Sequence, residues 1–99
     1  MAVLYIAEFS GLYAKGNQTG QMAITPPIAE QHVSIGMSST ASAAFNAATN
    51  LIRVHTDAIC SIAFGASPTA TANGMRLAAN QTEYFAVQGG QEIAVITNT

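Results

Sequence analysis

Charge is what this 99-residue sequence has least of. Three Lys or Arg and five Asp or Glu make up 8% of the chain, where an average globular protein carries about 25%. A free monomer ordinarily keeps interspersed charges on its surface for solubility. Interface cores are depleted in charge, so the deficit favours a surface partly covered by copies of the chain or by partners. The basic side chains Lys15, Arg53 and Arg76 are too few to supply the phosphate contacts that dominate nucleic-acid binding. A lone cysteine, Cys60, excludes an intrachain disulfide and a multi-cysteine metal site. No apolar run approaches the roughly 20 residues needed to span a bilayer. The apolar start at residues 2–7 has no basic residue before it and meets Glu8 at once, unlike a secretion signal. Without such a signal, Asn17-Gln18-Thr19 and Asn80-Gln81-Thr82 read as chance matches to the glycosylation pattern.

What is present, 49% hydrophobic residues in 99, is enough for one small domain. The patterning is that of short strands. Residues 2–9 alternate, with Val3, Tyr5, Ala7 and Phe9 on one face and Leu4, Ile6 and Glu8 on the other. Residues 10–20 contain three glycines and read as a loop, which Leu12 and Tyr13 would pin to something. Residues 21–25 form a candidate strand stopped by Pro26-Pro27, since a diproline cannot continue a sheet ladder. Residues 30–36 form another, with Val33 and Ile35 facing alike.

Residues 38–50 are ambiguous. Ala41, Ala44, Phe45, Ala48, Leu51 and Ile52 fall at helical spacing, but the intervening Thr, Ser and Asn are mediocre helix formers. The extended reading is preferred. Residues 50–56 then alternate, Asp57 makes a corner, and residues 58–65 place Cys60, Ile62 and Phe64 on one face. These two runs suggest a hairpin or a strand bent by a bulge. Residues 75–78 and 82–87 are short strands. The Gln88-Gly89-Gly90-Gln91 turn suggests a hairpin into a closing strand at 92–97. Six to eight short antiparallel strands at this spacing predict an all-β domain, a small β-sandwich or a jelly-roll-like fold. The domain would span residues 1–99, with 1–20 able to act as a strand-and-loop arm.

Motifs that carry chemistry are sparse. His55 and Asp57 stand two apart, on one side of a strand, and Cys60 or Ser61 would be the nearby nucleophile of a triad. Cys60 is predicted to face inward, where a thiol behaves as a small hydrophobe, so the chain is not expected to be an enzyme. His32 and His55 have no carboxylate at metal-ligand spacing. The glycines follow no phosphate-cradling pattern, and no cofactor is expected. The scarce charges Arg53 and Arg76 suit registration between partners, Arg53 through an intersubunit ion pair with Glu83 or Asp57.

The second half resembles small head-associated proteins of tailed bacteriophages, with capsid cement (decoration) proteins as the nearest class. The resemblance is carried by residues 51–58, by Ile62-Ala63-Phe64-Gly65, by the loop Ser67-Pro68-Thr69-Ala70-Thr71, by residues 75–87 with Glu83-Tyr84-Phe85, and by residues 90–96 after the Gly-Gln turn. It implies a subunit on the capsid surface of a virion, binding the major capsid protein as a homo-oligomer, trimer or dimer. From the scarcity of basic residues and of long apolar runs, neither nucleic acid nor membrane is expected as partner. The expected interface residues are Leu12, Tyr13, Arg53, His55, Arg76, Glu83 and Tyr84. The alternative is a receptor- or carbohydrate-binding β-sandwich on a head fibre or collar, with Tyr13 and Tyr84 as its platform.

Overall fold

The computed structural model describes residues 2–15 and 18–98. Among the described residues it contains ten strands and no helix. Eight strands form two four-stranded antiparallel sheets packed face to face. The first has the order β4-β1-β6-β9, from β1 (Val3–Phe9), β4 (Ala29–Ser34), β6 (Leu51–Thr56) and β9 (Thr82–Ala86). The second has the order β5-β10-β7-β8, from β5 (Thr40–Ala41), β7 (Cys60–Gly65), β8 (Met75–Leu77) and β10 (Glu92–Thr97). The remaining pair, β2 (Leu12–Lys15) and β3 (Gln18–Ala23), is a separate hairpin.

Strand patterning places the core. Strict alternation along β6 buries Ile52, Val54 and Thr56 and turns Leu51, Arg53 and His55 outward. The inward residues of both sheets, among them Leu4, Ile6, Val33, Ile52, Val54, Cys60, Ile62, Leu77, Ile93 and Val95, form one cluster. Each fully buried aliphatic side chain contributes about 1.5–3 kcal/mol. Phe64 of β7 and Phe85 of β9 meet across the two sheets with ring centroids 5.0 Å apart, a tilted geometry that aromatic pairs favour.

The wiring is that of a jelly roll. The pair β7–β8 nests inside β6–β9, which nests inside β5–β10, and successive pairs alternate between the two sheets. A long antiparallel hairpin rolled up on itself gives this order. The fourth pair, β1–β4, closes the roll from the N-terminal side, so the first strand sits between β4 and β6. Ala2 O accepts from Ile35 N–H and Gly36 O from Thr97 N–H. The two ends of the described chain therefore meet beside the same turn.

This wiring corrects three expectations. Residues 50–65 do not form a hairpin: β6 and β7 belong to different sheets, and residues 57–59 carry the chain across. Thr56 Oγ1 shapes that corner by donating to Ala58 O at 2.6 Å and accepting from Ala58 N–H at 3.2 Å. The Gln88–Gln91 turn likewise joins two sheets rather than two paired strands. There Gly90 has φ +86° and donates to Phe45 O at 2.9 Å, while a Cβ on Gly89 would lie 2.5 Å from Ala47 O. Lastly, the strand part of the expected arm, Val3–Phe9, is not free to reach out. β1 is an interior strand because Leu4 and Ile6 are core residues, and the glycine-bearing stretch after it enters the hairpin β2–β3.

Residues 38–50 form no helix: the short β5 at 40–41 is followed by irregular chain with a turn at 47–48, and a buried carboxylate accounts for its path. Glu8, only 2% exposed, points into the open end of the sandwich. Its Oε1 accepts from Asn46 N–H and Thr49 Oγ1–H, both at 2.8 Å, and its Oε2 accepts from Gln31 Nε2 at 3.2 Å. Gln31 Oε1 in turn accepts from Ala43 N–H. Phe45, 3% exposed, plugs the end between the sheets, with its own N–H on Gln91 O at 2.8 Å. Amides spent on these side chains and crossing partners are unavailable to a helix.

Glu8→Ala would leave the Asn46 amide and the buried Thr49 hydroxyl without their acceptor. It is expected to lower the unfolding free energy by roughly 2–4 kcal/mol, read from urea midpoints. Glu8→Gln keeps one acceptor oxygen and is expected to cost about half as much.

Candidate interaction face

The two sheets present unlike outer faces. Residues 66–74 leave β7 and run back over the second sheet. Ala70 N–H reaches Ser39 Oγ at 2.8 Å, beside β5 and two strands away, and Ala72 O accepts from Asn98 Nδ2 at 3.1 Å. Under this cover Ser61 and Ala94 have no exposed surface and Ala70 has 2%. Among the described residues the first sheet has no such cover, and its outer face carries both histidines, two of the three tyrosines, Glu30 and Arg53.

Strand register lays that chemistry out in two rows. His32 of β4, Tyr5 of β1, His55 of β6 and Thr82 of β9 are successive cross-strand partners. Tyr5 lies 6.4 Å, centroid to centroid, from each of the two imidazoles. His55 Nδ1 is hydrogen-bonded to Thr82 Oγ1 at 2.8 Å. The next row holds Glu30, Ala7, Arg53 and Tyr84 in the same strand order. Ala7 is short and its neighbours on both sides are long, so the row dips at its centre. The resulting groove, about 330 Å³, is lined by Tyr5, Ala7, Glu30, Gln31, His32 and Arg53. Tyr5 and Tyr84 are about half exposed.

Of the residues expected at an interface, Arg53, His55 and Tyr84 come together here. Glu83 does not join them: it pairs with Val54, whose side chain faces the core, and its carboxylate accepts from Gln81 Nε2 at 2.7 Å. Arg53 and Glu83 therefore leave opposite faces of the sheet. Arg76 is exposed on β8, in the other sheet. Leu12, 38% exposed, stands on the hairpin, and the side chain of Tyr13 lies outside the described residues. Sequence reading passed over Tyr5, Glu30 and His32 as members of this face. Each strand shows an outward pair two residues apart, but only register reveals that the pairs are neighbours.

The suspected triad is dispersed. Asp57 is exposed at the corner after β6, and His55 pairs with Thr82. Cys60 is fully buried on the core side of the second sheet, its Sγ donating to Thr56 Oγ1 at 3.5 Å. Burial pushes its thiol pKa up, against a weaker downward pull from the Thr56 hydrogen bond. A thiolate nucleophile is thereby disfavoured. Among the described residues no three His, Cys, Asp or Glu side chains gather as a metal site.

The chain matches no family model, no curated protein and no solved structure.

The Cys60 environment can be checked by thiol labelling with an aromatic disulfide at mildly alkaline pH. Native protein is expected to react only as fast as it opens, and to react at once in denaturant. Prompt labelling of the folded protein would show an accessible thiolate instead.

Proposed function

We propose that the chain is a structural virion subunit of the capsid cement type, which binds the assembled shell of a tailed bacteriophage and ties neighbouring major capsid proteins together. The observation that carries this reading is the hairpin β2–β3. The molecule measures 46 × 25 × 22 Å, whereas strands of five to seven residues span only about 17–24 Å. The six residues of β3 add about 20 Å, which accounts for the excess length. The hairpin joins neither sheet, and at its root Leu12, Ile24 and Ile28 are each roughly 40% exposed.

An apolar root on a projecting hairpin suits insertion against a neighbour. The low charge of the chain supports burial of its surface in an assembly, because charge is what interface cores lack. The resemblance of residues 51–96 to head-associated proteins is the reason for proposing a phage shell as that assembly. Many copies on one shell would make a modest contact effective through avidity.

The test is cosedimentation of purified chain with shells of the same phage's major capsid protein. Binding to assembled shells and not to free capsid subunits is expected. Removing residues 12–23 is expected to abolish binding while the sandwich keeps its circular dichroism. Full-length protein that stays in the supernatant would refute the proposal.

A further inference from the structure

We infer that the outer face of β4-β1-β6-β9 is a self-association surface, on which two copies of this chain pack about a two-fold axis running along β1. An interface of this symmetry must be self-complementary: whatever residue i meets on the partner, that residue's equivalent must meet i in return. The register meets this condition. Glu30 and Arg53 are both cross-strand partners of Ala7, one on each side of β1. Rotation by half a turn about an axis along β1 sets β4 of one copy over β6 of the other and keeps the rows level. Glu30 then faces the second copy's Arg53, and Arg53 faces the second copy's Glu30.

The remaining contacts fit the same operation. Ala7 meets Ala7 at the floor of the groove, where small side chains let the sheets approach to about 10 Å. The half-exposed Tyr5 rings come together in the adjacent row, and His32 comes over the second copy's His55. The second sheet offers no such surface because residues 66–74 cover it.

With the axis on β1, the three strands β4, β1 and β6 face their copies and cover about 300 Å². That is under half of the roughly 800 Å² per partner of a standard interface. The pair therefore belongs to the weak class, which repeated contacts within an assembly would reinforce. The inference does not depend on the shell: a dimer that ignores shells would overturn the proposed function and leave this surface intact, and a shell-binding monomer would do the reverse.

Charge reversal tests it. Sedimentation velocity of the full chain from about 10 μM to about 1 mM brackets a weak interface. Wild type is expected to show a monomer–dimer equilibrium. Arg53→Glu and Glu30→Arg should each weaken it roughly tenfold or more, since each reversal turns two attractive contacts into repulsive ones. The doubly reversed variant should return to within about threefold of wild type, because the pairs are restored in the opposite sense. Circular dichroism confirms folding, and Arg53→Gln and Glu30→Gln serve where a reversal fails to fold, each then weakening the dimer relative to wild type. A wild type monomeric throughout, a dimer unmoved by the single changes, or a double variant no tighter than either single would overturn the inference.

Discussion

A buried carboxylate with neutral partners holds the open end of this sandwich. Glu8 stands on the core face of the central strand β1, where the alternation that buries Leu4 and Ile6 would place another aliphatic. Burial of an ionisable group is costly unless hydrogen bonds replace water. Here an amide, a hydroxyl and a carboxamide do so. Residues 42–50, which carry the chain from the second sheet to the first, are thereby fixed in one path. With that path fixed, Phe45 enters the core, Gly90 donates to Phe45 O, and Asn50 N–H meets Phe9 O. The ends of β1, β6, β9 and β10 are tied to one another through this segment.

The closure of the roll by β1 has a consequence for how the surface is divided. Because the first strand lies between β4 and β6, its outward residues become the middle of a face, and Tyr5 and Ala7 each acquire partners on both sides. The second sheet spends its outer face on its own loop. One side of the molecule is thus finished internally, while the other is left as aligned rows of imidazole, phenol, carboxylate and guanidinium. The hairpin β2–β3 inserted between β1 and β4 adds a projection at one end. Both features are outward-looking, and neither is required by the core.

Much of the fold was legible in the sequence. The period-two pattern at 51–56 assigned every side of β6 correctly, and Cys60, Ile62 and Phe64 were placed on the core side of β7. What could not be read was which strand pairs with which. A turn such as Gln88-Gly89-Gly90-Gln91 has the chemistry of a hairpin, yet the same chemistry serves a crossing between sheets, because the glycines answer to the backbone at 45–47, far away in sequence. Glu8 was assigned to the correct face, but nothing local marks it as an acceptor for residues 38 and 41 positions away. The interaction face failed for the same reason: Glu30, Ala7 and Arg53 form one row only after β4 and β6 have both found β1.

The central claim is that the Glu8 carboxylate makes residues 42–50 part of the cooperative core rather than a surface loop. Native-state hydrogen exchange at the Asn46 amide tests this most directly. That amide belongs to an exposed residue, so burial alone does not protect it. If Glu8 holds it as described, it exchanges only through global unfolding, with the same opening free energy as the amides of Ile52 and Ile93. Exchange at the rate of an open loop, while those strand amides stay protected, would contradict the account.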